Sequence, residues 1–354
     1  MSERWIAALT DRGARFADGR VADFGDAGGE LAAAVNGTII CDLSHDGLIH
    51  VGGAEAAAYL QAQFCNDVAT LGEEAAQWNG WCSPKGRLLV TFLVWRNADG
   101  YLLQLPRALQ AAIQKRMQMF VLRSKVALTD ASAQWIRFGV AGAGAAGLIE
   151  KMVGSLPAQS MNTVKMDDGV IVRISANRFE VIARDALALN WWQELLRGAT
   201  PVGAPVWDGF GVRAGILTVL PETQDAFVPQ MANFELIGGV SFKKGCYPGQ
   251  EIVARTQYRG ILKRRMGLVH GDGAVPMPGA SVYSHVFGDQ AAGLIANAAP
   301  AAGGGFDALV VAQIEPLRGG TLTLGSLDGE TLTVNRLPYA VPELDRESAD
   351  ILSS

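Results

Sequence analysis

Cysteine is scarce in this chain of 354 residues. There are four, Cys41, Cys65, Cys82 and Cys246, and no two form a C-x-x-C pair. That spacing argues against a structural zinc site or a self-contained iron–sulfur cluster, and against a disulfide framework in a chain this long. Histidine is equally thin: His45, His50, His270 and His285 are dispersed and make no metal pattern, so no resident metal is expected. No phosphate-binding loop or nucleophile elbow occurs. The glycine-rich AGAGAAG at 141–147 lacks the acidic partner and the βαβ setting of a dinucleotide fingerprint. The N-terminus, MSERWIAALTDRGARFADGR, is charged throughout and has no apolar core of a signal peptide. The most apolar run, Leu88 to Trp95, is far too short to span a bilayer. Positive charge is in deficit, with a formal net charge of −5, which argues against a general nucleic-acid-binding surface. A soluble, cytoplasmic monomer with no membrane and no direct nucleic-acid contact is expected.

What is present is ample apolar material, 49% of residues, and a length that suits two or three domains. Residues 1–30 read as a helix and a loosely attached connector rich in glycine, alanine and aspartate. Thr38–Leu43 and Leu48–Val51 read as short strands around an Asp46-Gly47 turn. Ala54 to Phe64 reads as a helix, Leu88–Trp95 and Tyr101–Leu105 as a hairpin, and Arg107–Val121 as an amphipathic helix. Residues 131–200 follow the order strand, helix, strand, strand, helix, which suits a ferredoxin-like α+β module. From about Lys263, six short β-rich runs alternate with turn residues, the pattern of a small barrel or sandwich. The tail at 342–354 is acidic and expected to fray.

The densest cluster of backbone devices lies at Gly238–Gly260, GGVSFKKGCYPGQEIVARTQYRG. Glycines and a Pro-Gly turn surround a single thiol, Cys246, and a helix is expected to start at Gln250-Glu251. A thiolate is the reactive form of cysteine, and both a helix N-terminus and nearby cations, here Lys243 and Lys244, favour it. A buried, inert cysteine is the alternative. The basic residues Lys243, Lys244, Arg255, Arg259, Lys263, Arg264 and Arg265 gather in this region, either as a solvated face or as a contact for a polyanion.

The motif Lys244-Gly245-Cys246-Tyr247-Pro248-Gly249-Gln250-Glu251 resembles the K-G-C-Y-x-G-Q-E signature of the YgfZ family. YLQAQFCNDV at 59–68, SPKGR at 83–87, FVLRSKVAL at 120–128 and LPY at 337–339 are similar to further segments of that family. Its members are folate-binding proteins tied to iron–sulfur enzyme maintenance, and distant relatives of the glycine-cleavage T-protein, an aminomethyltransferase. The resemblance implies an α+β protein of three domains in a ring. An α+β first domain, 31–130 completed by 201–260, binds folate; a ferredoxin-like module at 131–200 and a C-terminal β-barrel at 261–341 complete the ring.

The resemblance also implies site residues. Trp207 aligns with a tryptophan that contributes to folate binding, and Glu180 with the carboxylate by which T-proteins hold the pterin ring. A flat heteroaromatic calls for an apolar wall and a group that reads its edge. A core tryptophan and a solvent-facing strand residue are the bland alternatives. Asn66 and Asp67 match a motif lining the same cavity, although Asp67 could equally cap a turn. Arg255 and Arg259 would suit the carboxylates of a folate tail. T-proteins carry an essential aspartate on the strand after the glycine turn at 86. Here Val90 or Thr91 stands in its place, and neither is a carboxylate acid or base. The leading expectation is a tetrahydrofolate-binding accessory protein supporting assembly or repair of iron–sulfur clusters in selected enzymes, including tRNA-modifying ones, with Cys246 as its functional thiol. Its partners would be iron–sulfur assembly proteins and their client enzymes. A true one-carbon transferase and a noncatalytic interaction module are the other readings.

Overall fold

The computed structural model describes residues 2–258 and 262–345. The chain divides into two compact units. One holds residues up to 62, 67–79 and 92–207; the other holds 63–66, 80–91 and the chain from 208 onward.

The first unit opens with α1 (Glu3–Thr10), the hairpin of β1 (Arg15–Ala17) and β2 (Arg20–Asp23), and α2 (Ala27–Asn36). Strands β3 (Thr38–Asp42) and β4 (Asp46–Gly52) follow, then α3 (Ala56–Gln63), β5 (Ala76–Cys82), β6 (Leu88–Asn97), β7 (Gly100–Pro106), α4 (Arg107–Gln118) and β8 (Ala127–Asp130). The division of the chain falls within β5 and β6. They belong to a five-stranded sheet in the order β5-β6-β7-β4-β8. Eight consecutive residues of β6, Leu88–Trp95, are buried, as expected of a strand covered on both faces.

Next come β9 (Ile136–Gly142), α5 (Ala145–Val153), β10 (Thr163–Met166), β11 (Gly169–Ser175), β12 (Arg178–Ala183), α6 (Asp185–Leu195), β13 (Thr200–Val202) and α7 (Ala204–Arg213). Their sheet has the order β10-β11-β12-β9-β3-β13. The ferredoxin-like segment therefore shares one sheet with β3 and β13, which come from stretches expected in the first domain.

Two expectations need correction. The N-terminal segment is not loosely attached. Trp5, Leu9 and Val21 are fully buried in a core with Phe138, Phe179 and Trp192. The Trp5 indole stacks on Phe138 at 5.9 Å and meets Trp192 edge-on at 5.0 Å. Its Nε1 donates to Asp42 Oδ1 at 2.7 Å. Nor does Asp46-Gly47 form a turn. Both residues lie inside β4, paired with Pro106 and Leu105 of β7, and β3 and β4 enter different sheets. The chain reverses just before, where Asp46 N–H donates to Leu43 O at 3.0 Å.

The second unit contains α8 (Gln250–Tyr258), then β14 (Arg264–Gly271), β15 (Ser281–Tyr283), β16 (Gly293–Pro300), β17 (Phe306–Gln313), α9 (Ile314–Gly319), β18 (Leu322–Leu324), β19 (Glu330–Asn335) and α10 (Pro342–Asp345). The six strands close into a barrel in the order β14-β17-β16-β15-β18-β19, and closure removes both sheet edges. Val269, Ile295, Phe306, Val310 and Leu332 fill it. The start of the C-terminal tail is held: Glu343 pairs with Arg265 at 3.0 Å, and Arg265 also pairs with Glu235 at 2.5 Å. Residues 346–354 lie outside the described residues.

Trp5→Ala should lower unfolding free energy by about 3–5 kcal/mol in urea titrations, the range for deleting a large buried aromatic. A loss under about 0.5 kcal/mol, typical of exposed positions, would contradict the docked N-terminus.

Candidate functional site

Four cysteines adopt two kinds of environment. Cys41, Cys65 and Cys82 are buried; Cys246 is exposed. It sits in the turn just ahead of α8, whose first residue is Gln250. The turn is fixed from below. Lys244 is 8% exposed and is not an open charge beside the thiol, contrary to expectation. Its ammonium donates to the carbonyls of Phe64 and Asn66, the latter at 3.3 Å, and lies 5.1 Å from the centre of the Tyr247 ring. Lys243 remains exposed. Asn66 Nδ2 donates to Gly238 O at 2.8 Å, and Ser241 N–H to Cys65 O at 3.0 Å. The segment 64–66 thus straps the loop that carries Cys246.

Gly249 has φ +80, and a Cβ there would lie 2.4 Å from Ser83 O and 2.6 Å from Gly86 Cα. Only glycine allows both this backbone conformation and this approach. The SPKGR turn and the cysteine turn are therefore packed backbone to backbone. Gly245 has open space around it. Behind the turn, Cys65 and Cys82 lie together. The bond with Cys65, reinforced by burial, raises the Cys82 thiol well above its ordinary value. Burial likewise raises the Tyr247 phenol. Both stay protonated at neutral pH.

Arg255 is on the last turn of α8 and exposed, Glu251 is exposed on the first turn, and Gln250 is half-buried. Arg259 lies outside the described residues. Arg265, counted with the basic run, is instead buried between Glu235 and Glu343.

Glu180 and Trp207 come together in the first unit. Glu180 pairs in register with Gly139 across β12 and β9. A Cβ on Gly139 would fall 2.3 Å from Trp207 Cη2, so the missing side chain is what seats the indole. The Arg178 guanidinium lies over the Trp207 ring at 4.4 Å. Trp207 is 4% exposed and Glu180 5%. Burial, opposed by Arg178 and reinforced by Asp46, pushes the Glu180 carboxyl up to about 7. Gln104 Nε2 donates to Glu180 Oε2 at 2.8 Å and to Asp46 Oδ2 at 2.9 Å. Gln104 Oε1 and His45 Nδ1 are buried with no hydrogen-bond partner among the described residues. Asp67 acts in a turn: its Oδ1 accepts from Gln61 Nε2 at 3.0 Å and from Ala69 N–H at 3.1 Å.

Sequence reasoning missed Gln104, Asp46 and His45 around Glu180. A lone amide in the apolar strand GYLLQLP was the available signal. A buried carboxylate beside an orphaned carbonyl oxygen is an acceptor set, and it fits a ligand edge with several N–H donors, such as that of a pterin. On β6, Val90 is fully buried and Thr91 Oγ1 accepts from Val219 N–H at 3.1 Å. No three metal-binding side chains are grouped among the described residues, and no helix among them is long and apolar enough to cross a membrane.

A model of the GCVT N-terminal domain matches residues 10–203. The tRNA-modifying protein YgfZ of Vibrio vulnificus (strain CMCP6) is 32% identical over 241 residues, which cover 68% of this chain and 72% of that protein. Its namesake from Enterobacter sp. (strain 638) is 31% identical over 238 residues, 66% of this chain and 72% of that protein. The glycine cleavage system aminomethyltransferase T from Bartonella henselae superposes with a TM-score of 0.80 at 16% identity, covering 95% of this chain and 97% of that one. At that identity the likeness concerns the fold. The chain belongs to the YgfZ family and has the α+β fold of the glycine-cleavage aminomethyltransferases.

Proposed function

We propose that the protein binds a reduced folate at Glu180 and serves, through Cys246, in assembly or repair of iron–sulfur clusters in selected enzymes, tRNA-modifying enzymes among them. One observation carries the reading: of four cysteines, the one inside the family signature is the one exposed, on a turn anchored by Lys244, Asn66 and Gly249. An anchored, accessible thiol ahead of a helix N-terminus suits attack on, or ligation of, a partner's sulfur or iron. The cluster is cargo in this reading, and its partners are assembly proteins and the enzymes that receive it.

Folate, when bound, supplies a one-carbon carrier and a rigid heteroaromatic ring. Glu180 accepts the N–H donors of that ring, Gln104 holds the carboxylate in place, and Trp207 with Arg178 forms a flat wall beside it. Asn66 and Asp67 act through the backbone they fasten. Arg255 offers its guanidinium to an anionic tail or to a protein partner. The second reading, aminomethyl transfer, is disfavoured because Val90 and Thr91 place no proton-transfer group on β6.

Cys246 should react with a maleimide well ahead of the buried Cys41, Cys65 and Cys82. Cys246→Ser should fold and bind folate yet fail to restore iron–sulfur enzyme activity in a deletion strain, and full restoration would remove its role.

Tetrahydrofolate binding should also depend on pH. The raised Glu180 carboxyl is protonated below about 7, and a ligand that needs it ionised must displace that proton. Affinity should therefore fall about tenfold from pH 8 to pH 6. Glu180→Gln should lose about 1.5–3 kcal/mol of binding at pH 8 and the pH dependence with it. The sign for stability is the reverse: a carboxyl raised in the folded state favours folding at low pH and loses that contribution as pH rises through about 7. Without ligand, Glu180→Gln should thus gain stability over wild type at pH 8 and not at pH 4. An unchanged dissociation constant, measured by calorimetry, would take Glu180 out of the site.

Finally, ammonia release from an aminomethyl-lipoyl donor with tetrahydrofolate should run about 10²–10⁴-fold below a T-protein assayed alongside, the span a positioned acid–base group contributes. Comparable turnover would favour the transferase.

A further inference from the structure

The stretch Arg107–Val126 carries Arg107, Lys115, Arg116, Arg123 and Lys125 and no acidic residue, in a chain whose formal net charge is −5. Large apolar side chains are exposed within it: Met119 at 64%, Phe120 at 42% and Leu122 at 87%. They follow directly on α4. The buried side of that helix is Leu109, Gln110, Ile113 and Met117, so the exposed group is separate from its core face. Upstream, Ala108, Ala111 and Ala112 are also exposed, and their small side chains leave the outward face of α4 flat.

The turn that displays Leu122 is built rather than slack. Phe120 N–H donates to Met117 O at 3.0 Å, Val121 N–H to Gln118 O at 3.2 Å, and Ser124 N–H to Val121 O at 2.9 Å. Lys125 N–H donates to Glu55 Oε2 at 2.5 Å. Leu122 itself has φ +50, the left-handed region that a leucine rarely occupies. A strained backbone that exposes a large apolar side chain gains nothing for the isolated fold, and such outliers concentrate at functional surfaces. Two carboxylates that reach this stretch are engaged: Glu55 with the Lys125 amide, and Asp130 with Arg107 at 3.9 Å. Lys115, Arg123 and Lys125 have no ion-pair partner among the described residues.

We propose that Arg107–Val126 is a docking surface for a protein partner that presents an acidic amphipathic helix. The helix would lie along the alanine face of α4, set its apolar side chains on Met119, Phe120 and Leu122, and bring carboxylates to Lys115, Arg123 and Lys125. Charge complementarity selects an acidic partner. In helix-in-groove recognition an amphipathic helix lays its apolar face on an apolar surface, and Met119, Phe120 and Leu122 expose one beside α4. RNA phosphates would leave Leu122 and Met119 without contacts. A bilayer would need an apolar helix face to lie in it, and the apolar face of α4 is turned into the core.

The test uses the full chain and a synthetic, fluorescein-labelled helical peptide of about 18 residues, five turns, with leucines along one face and glutamates flanking them. Anisotropy should show saturable binding that weakens with added salt and is lost with a scrambled peptide. Leu122→Asp should weaken it about tenfold or more, and Arg123→Glu severalfold. Leu122→Gly separates docking from folding. Glycine accepts the positive φ, so this variant should keep or raise the melting temperature and still lose the peptide. Equal peptide affinity for wild type and Leu122→Asp would overturn the proposal. So would saturable binding of phosphatidylserine vesicles or of a 20-mer RNA in place of the peptide, abolished by the same substitution.

Discussion

The exposed thiol of Cys246 depends on a cation that points away from it. Lys244 buries its ammonium on the carbonyls of Phe64 and Asn66. A buried ammonium is tolerated only when hydrogen-bonded, so these two oxygens and the Tyr247 ring decide where the turn sits. Ser241, Asn66 and Gly238 tie the same two strips of chain together. The backbone contact of Gly249 with Ser83 and Gly86 closes the other side. With both sides fixed, the chain between Lys244 and Gly249 has one course, and it carries Cys246 outward. The charge of Lys244, two residues from the thiol in sequence, fixes the position of the turn.

Glu180 poses the opposite problem. Cys246 stands in the open, at no desolvation cost. Glu180 is a carboxyl held out of water in a strand, and burial drives it toward the protonated form. Gln104 gives one nitrogen to both Glu180 and Asp46, and its own oxygen has no partner among the described residues. An unmet buried acceptor costs about 1–3 kcal/mol. A sheet position filled by Val or Ile would avoid the cost altogether, since its neighbours Phe179, Val181 and Ile182 are buried and apolar. A group kept at such expense, beside a ring seated where Gly139 lacks a side chain, is consistent with a ligand supplying the missing donors.

Much of this was legible from the chain alone, and the misses share a cause. The barrel strands were readable because each is short, β-branched and bounded by turn residues. The cysteine turn was readable because its glycines answer local backbone demands. The N-terminal segment was not, since the partners of Trp5 are Phe138 and Trp192, more than a hundred residues away, and nothing local marks it as docked. Asp46-Gly47 looks like a hairpin turn, but pairing with β7 overrode the local preference and drew it into β4. Lys244 was misread for the same reason. Its neighbours in sequence suggest an open charge, and its neighbours in space, Phe64 and Asn66, do not appear in the motif.

The likeness to an aminomethyltransferase and the departure from it meet on β6. Fold similarity at 16% identity carries no chemistry, so the question falls to individual side chains. Val90 is fully buried, which suits a wall and nothing else. Thr91 has a hydroxyl, but it accepts a backbone N–H from Val219 and so holds chain to chain. At these two positions the strand supports the backbone. The cysteine sulfur exposed to solvent in the same unit is that of Cys246.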